Sequence, residues 1–377
     1  MKVAIFTGTY IENKDGVARS LYELVQTLRE KDHEVGIWAP EITPQKDTGI
    51  YTFKMPSVPI PLYPDYKMTI YLKDVIKELR KFEPDIIQIS TPDLIAFKFL
   101  KYAKIEDVPV VSIYHTDFPS YLKYYKLDLL EGTVWKEMVR FYNKCDMVFA
   151  PTEGMKELLE RKGVKKVMIW SRGIHQDHFN PERRSERLRR EWGAENKKVI
   201  LFSGRFVKYK DLDIVVKVYK KIEKMERRDI VFTLLGSGPM TKELRRKMPD
   251  AIFPGYLHDD DLYKAYASGD IFLFPSTTET FGNVIQEAIS SGLPAVVSDT
   301  GGCKEIIKNS RAGTICEGKN SDAFTEAVIE LIDNNRMRSE LRVTGIEWSK
   351  KRTWRYINDH LIDQYRMLIE NKKRETP

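Results

Sequence analysis

Cysteine is scarce in this 377-residue chain: Cys145, Cys303 and Cys316 are odd in number, and none stands in the C-x2-C spacing of a metal site or disulfide framework. A reducing cytosol is the expected home. Long apolar runs are missing too. Nothing approaches the roughly 18 continuous apolar residues of a membrane span, so any membrane contact is expected to be peripheral, at the inner face. The opening MKVAIFTGTYIENKDG has an apolar run (VAIF) too short for the core of a signal peptide. Low-complexity tracts and short-period repeats are absent. Charge of a single sign is lacking as well: 62 Lys and Arg stand against 55 Asp and Glu, a net +7. That modest excess suits phosphorylated small molecules or acidic lipid surfaces, and it does not call for nucleic acid.

What is present is alternation. With 42% hydrophobic residues the chain has material for more than one core. KVAIFTG, SLYELVQTLREKDH and EVGIWAP read as strand, helix and strand, a parallel βαβ unit. DIIQIS, VPVVSIYH and MVFAPT continue the theme, with a helix-like stretch from Met68 to Phe82 among them. The rhythm breaks in VMIWSRGIHQDHFNPERRSERLRREWG and restarts with KVILFSG, IVFTLLGSG, AIFPGYL, IFLFPS and PAVVSD. The expectation is an α/β chain of two Rossmann-like doubly wound domains, over residues 1–170 and 171–350. Residues 351–377 form a last helix able to return to the first domain. Ligands of open parallel sheets collect outside the carboxyl ends of the strands, so the cleft between two such domains is the expected site.

Several residues fit that edge. SGRFVKYKD presents Arg205 and Lys210 after a strand, a bidentate donor and a point cation of the kind a pyrophosphate needs. The alternative is two solvated basic side chains. ETFGNVIQEA places Glu279 and Glu287 around a Phe281-Gly282-Asn283 turn into a helix that runs to about Ser290, with Gly292 as its stop. Free amides at that helix start attract phosphate, while carboxylates accept paired hydrogen bonds from vicinal hydroxyls. Were the interval wholly helical, the two backbones would lie roughly 12 Å apart. Glycosidase acid and base groups sit closer, at about 5 to 9.5 Å, so the spacing leans toward gripping a ligand. A helix-start acid plus a solvated glutamate is the alternative. GSGPM lacks the third glycine of a dinucleotide fingerprint and reads as a strand-to-helix turn. YLKYYKLDLLEGTVWKEMVRFYNK mixes aromatics with lysines, and a buried helix with solvated lysines is preferred over an interfacial one.

Taken together, E-x7-E followed by SGLPAVVSDTGGCKEII, the SGRFVKYKD loop, GSGP and WSRGIHQDHFNP resemble retaining GT-B glycosyltransferases of family 4, which include phosphatidylinositol mannosyltransferases, sulfoquinovosyl transferases and sucrose-phosphate synthases. The resemblance spans essentially the whole chain. It implies that Arg205 and Lys210 hold a donor pyrophosphate, Glu287 the ribose hydroxyls and Glu279 the transferred sugar. The amides of Phe281, Gly282, Asn283, Val284, Gly301 and Gly302 would complete the pocket, and Tyr256 and Leu257 would frame the base. In the first domain, His115 in SIYHTDFPSY matches a family histidine beside the donor sugar, although a lone histidine at a strand end is more often structural. NKDGVARS matches the family's glycine loop, with Asp15-Gly16 where a Gly-Gly pair is usual, so Gly16 is the expected contact. Asp211, where the family often has Gly or Asn, and His175 in the hinge motif are further departures.

By the same resemblance, the expected enzyme moves a hexose from a UDP- or GDP-sugar to a hydroxyl acceptor, with the nucleotide sugar as substrate and neither cofactor nor metal. Domain closure would exclude water. The HTDFPSY and DGVARS contexts look most like members that glycosylate inositol phospholipids or diacylglycerol derivatives, so a lipid acceptor at a membrane surface is expected. Soluble sugar or sugar-phosphate acceptors, an epimerase and a nonenzymatic nucleotide-sugar sensor are the alternatives.

Overall fold

The computed structural model describes residues 1–11, 16–43, 49–60, 63–69, 73–117, 119 and 128–375. Asn13, Lys14 and Asp15 of the early loop, Phe118, and residues 120–127 of the aromatic and lysine-rich stretch lie outside them. The chain forms two compact units. One comprises Met1–Pro119, Leu129–Arg172 and Trp354–Pro377, and the other contains Gly173–Thr353.

In chain order the first unit contributes β1 (Lys2–Phe6), β2 (Glu34–Ala39), β3 (Tyr51–Lys54), β4 (Ser57–Ile60), β5 (Tyr63–Thr69), β6 (Ile86–Ile89), β7 (Val110–Ile113), β8 (Met147–Ala150) and β9 (Val167–Ile169). Seven of these form a parallel sheet in the order β3-β2-β1-β6-β7-β8-β9. Alternate residues of β1 feed different cores, as a pleated strand requires. Val3 and Ile5 join a cluster with Leu21, Leu24, Val25 and Leu28 of the helix Gly16–Glu30. Ala4 and Phe6 join the opposite one with Trp38 and Phe99. Both faces are therefore covered, and this is why β1 reads as a continuous apolar run.

The helix Trp354–Glu375 completes the first cluster with Leu361, Ile362, Tyr365 and Ile369. Buried polar groups fix its position. Asn358 accepts from Trp170 Nε1 at 3.2 Å and donates to Thr27 Oγ1 at 2.9 Å, and the Tyr365 hydroxyl donates to Gln88. Each is polar on an otherwise apolar face, so each sets the helix's axial position as well as its contact.

One sequence expectation fails here. The helix anticipated from Met68 begins only at Lys73, because Met68 and Thr69 belong to β5, which pairs antiparallel with β4 (Val58 opposite Met68, Ser57 opposite Thr69). Tyr63, Tyr66 and Thr69 suit a strand. Pro59 and Pro64 are tolerated because both strands of a two-stranded ribbon are edges.

The second unit holds β10 (Lys198–Ser203), β11 (Ile230–Leu235), β12 (Ile252–Gly255), β13 (Ile271–Phe274), β14 (Ala295–Ser298) and β15 (Gly313–Cys316), all parallel, in the order β12-β11-β10-β13-β14-β15. Strand order reverses between β10 and β13, which are neighbours through Ile200 opposite Ile271 and Leu201 opposite Phe272. Their carboxyl ends are the topological switch point, where a doubly wound sheet takes its ligand.

Candidate active site

The loops leaving β10 and β13 carry the charged residues anticipated from sequence. After Ser203, Gly204 takes φ 151°, Arg205 follows half-buried, and a 3-10 turn over Lys208–Lys210 leads into the helix Leu212–Lys224. After β13, the segment Pro275 to Gly282 precedes the helix Asn283–Ser290. The structure brings Lys210 and Glu279 together. Lys210 Nζ donates to Glu279 Oε1, Ser276 Oγ donates to the same oxygen at 3.2 Å, and both charged side chains are largely buried. Helical geometry begins only at Asn283, so Glu279 is a loop residue and Glu287 a residue of the helix's inner face.

Hydrogen bonds set these loops against one another, and glycines seat neighbouring segments on them. Asp211 accepts from Thr277 N at 2.9 Å and Thr277 Oγ1 at 2.7 Å, and Thr278 Oγ1 donates to Tyr209 O at 2.9 Å. Asp211 lies at φ 51°, in the left-handed region that Gly and Asn enter most readily. The residue noted as a departure from the family pattern therefore meets the same backbone demand, and its carboxylate adds the bond to Thr277. A Cβ on Gly236 would lie 2.1 Å from Gly204 O, and one on Gly302 would lie 2.2 Å from Phe281 O. Gly302 N donates to Glu279 O at 2.9 Å, which seats the next helix, Gly301–Ser310, directly against the loop of Glu279. Gly282, at φ 102°, opens the helix Asn283–Ser290, and Asn283 and Val284 are half-buried at its first turn.

Glu287 is 4% exposed and accepts from the Tyr266 hydroxyl at 2.9 Å. Tyr256 is 54% exposed just after β12, stands edge-on to His258 at 4.5 Å, and is followed by half-buried Leu257. Cys303 lies under the same loop, its thiol donating to Ser276 O at 3.5 Å. Burial, then the Glu279 charge, pushes that thiol well above its usual range, so it is not a nucleophile near neutral pH.

In the first unit Gly16 is exposed at the start of its helix. His115 follows β7 and is 8% exposed. Its Nδ1 lies 3.1 Å from the Arg172 guanidinium, and its ring meets Trp170 edge-on at 6.0 Å. Burial first, and the Arg172 charge second, hold the imidazole well below its ordinary value, so it is neutral near pH 7. Sequence reasoning missed Arg172; its one signal was its place directly before the Gly-Ile of the hinge motif. Of the aromatic and lysine-rich stretch, the described part is the helix Glu131–Tyr142 with Trp135, Met138, Phe141 and Tyr142 buried, preceded by Leu129, which is 98% exposed.

Two all-parallel doubly wound sheets, with Lys210 and Glu279 meeting at the switch point of the second, have the architecture of a GT-B glycosyltransferase. Residues 14–178 match the family described as Glycosyltransferase Family 4, and residues 184–348 match Glycosyl transferases group 1. The chain belongs to glycosyltransferase family 4. It is similar to the GDP-mannose-dependent alpha-mannosyltransferase of Corynebacterium glutamicum, 29% identical over 99% of this chain and 91% of that one. It is also similar to the sulfoquinovosyl transferase SQD2 of Arabidopsis thaliana, 31% identical over 90% of this chain and 68% of that one. The structure of Anabaena Alr3699/HepE in complex with UDP-glucose shares the fold, with a TM-score of 0.79 and 17% identity over 97% of this chain and 99% of that one.

Proposed function

We propose that this glycosyltransferase moves a hexose from a nucleoside diphosphate sugar to a lipid hydroxyl at a membrane surface, with retention at the anomeric carbon. The observation that carries the reading is the meeting of Lys210 and Glu279 at the carboxyl ends of β10 and β13, beside the start of the helix Asn283–Ser290. A cation and a carboxylate in contact match the two ends of a sugar diphosphate, and a ligand that inserts between them exchanges one ion pair for two matched contacts.

In this reading Lys210, Arg205 and the amides of Phe281 to Val284 neutralise the departing diphosphate, which is electrostatic stabilisation of developing charge. Glu279, with the amides of Gly301 and Gly302, takes sugar hydroxyls, and Glu287 takes the ribose. Tyr256 and Leu257 frame the base, Gly16 lies by the phosphates, and His115 orients the sugar. The anomeric carbon–phosphate oxygen bond breaks as the acceptor oxygen bonds to the same face. The acceptor proton passes to the leaving phosphate oxygen, giving a glycoside and a nucleoside diphosphate. These cations supply the charge neutralisation, so turnover should survive a chelator.

GDP-mannose is the first donor to try, because the C. glutamicum relative is named for it, and UDP-glucose the second. No described helix is long and apolar enough to cross a membrane, so a lipid acceptor would be met from the surface. The purified chain is incubated with GDP- and UDP-sugars, with and without liposomes of inositol phospholipid or diacylglycerol, and nucleotide release is followed. Release that requires one donor and liposomes supports the reading. Equal release without liposomes would replace the lipid with a soluble acceptor or water, and binding without release would overturn the transfer.

A further inference from the structure

We propose that Arg172 is a positioning residue that fixes His115 as a neutral imidazole with its proton on Nε2, so that the ring is a hydrogen-bond donor at Nε2 and not a base. The proposal rests on the reading of His115 given above and adds the residue that sets its chemistry.

Arginine carries five N–H donors and no acceptor, so any ring nitrogen it contacts must offer a lone pair. Arg172 Nη2 lies 3.1 Å from His115 Nδ1. Nδ1 is therefore the acceptor, and the single proton of a neutral ring belongs on Nε2. Protonating Nδ1 would set N–H against N–H and one cation against another, with both side chains under one-tenth exposed. Among the described residues, the Arg172 charge acts on the ring after burial.

The guanidinium is itself held on three sides. Its Nη1 donates to Trp170 O at 3.0 Å and to Ser171 O at 3.2 Å, and its Cζ lies over the Trp170 ring, 4.5 Å from the centroid. The indole is fixed in turn through Asn358 to Thr27. A lysine could not reproduce this fork, since an ammonium is a point charge without a stacking plane. The buried series Thr27, Asn358, Trp170, Arg172 and His115 thus sets one histidine tautomer from side chains remote in sequence. A histidine working as a proton acceptor at Nε2 would need the opposite arrangement, with a partner for an Nδ1 proton.

The test is a nitrogen NMR spectrum of the full chain with labelled histidine, in which the His115 ring is identified by its loss in His115→Gln. The expected ring stays neutral as the pH falls through the ordinary histidine value of 6.5, with an unprotonated Nδ1. In Arg172→Met it should titrate closer to its ordinary value and lose the single tautomer, with kcat down about tenfold and KM little changed. Arg172→Lys should fall between. In the His115→Gln background, Arg172→Met should cost no further turnover, because the two act as one unit. A wild-type ring with its proton on Nδ1 overturns the assignment without reference to any variant, as do fully additive losses. Wild-type turnover in His115→Gln would strike the sugar-contact role of His115 and its place in the reaction, while the tautomer, read from the spectrum alone, would stand.

Discussion

The switch point of the second unit and the His115 corner of the first are built from opposite materials. At the switch point, Lys210 and Glu279 are ionic side chains on loops against which neighbouring backbone packs at Gly236, Gly238 and Gly302, with no room for even a Cβ. At His115 the imidazole is neutral and buried, and side chains fix it. The comparable glycine of the first unit, Gly8 after β1, would bring a Cβ only to 3.2 Å from a hydroxyl, Thr91 Oγ1. In the proposed reading, a site that neutralises a diphosphate needs its cations held close despite their mutual repulsion, which a rigid backbone provides. One that must orient a hydroxyl needs a single protonation state, which burial and one cation provide.

Substitutions can break this contrast in a graded way. The largest effect is expected from Lys210→Ala, which should lower kcat about 10²- to 10³-fold in a nucleotide-release assay, the range for loss of a charge-stabilising donor. Gly302→Ala should come next. Its Cβ would strike Phe281 O, so the loop of Glu279 must move, and a shift near 1 Å can cost about 100-fold in turnover. A melting curve should show about 1 to 3 kcal/mol of lost stability, as overpacking does, whereas Gly8→Ala should change both measurements little. Tyr266→Phe removes the hydrogen bond to Glu287 at a cost of about 1 kcal/mol, read as a several-fold rise in donor KM.

The smallest effect lies in acid stability. His115 has its folded value lowered below the unfolded 6.5, so the unfolded chain binds the extra proton first. Stability is therefore intact above about pH 6.5 and declines as pH falls below it. Chemical denaturation at pH 5 and pH 7.5 should show a smaller difference in His115→Gln than in wild type.

Much of the fold was legible because buried parallel strands are continuous apolar runs: β1, β6, β7, β8, β10, β11, β13 and β14 all stand out in the sequence. The edge strands β3 and β15 did not, since Tyr51 to Lys54 alternate in exposure and Gly313 to Cys316 are only partly buried, which weakens the signal. The β4–β5 ribbon was hidden because Lys73–Phe82 is a true helix whose spacing could be extended backward through residues that instead pair across a strand. At the site, Lys210 and Glu279 could be named from motifs, but their contact depends on which strands are neighbours across the switch point, which no local pattern encodes. Arg172 was hidden for a different reason. It is one basic residue just before an arginine-rich stretch, and only its burial against Trp170 and His115 separates it from its solvated neighbours.

Isothermal titration of GDP, UDP and their sugar conjugates into wild type, Lys210→Ala and Glu279→Ala examines the division of labour at the switch point most directly. Lys210→Ala should weaken the nucleoside diphosphate and its sugar conjugate alike. Glu279→Ala should leave the diphosphate near wild-type affinity and remove the increment contributed by the hexose. Wild-type affinity for both ligands in Lys210→Ala, or equal weakening of both in Glu279→Ala, would contradict it.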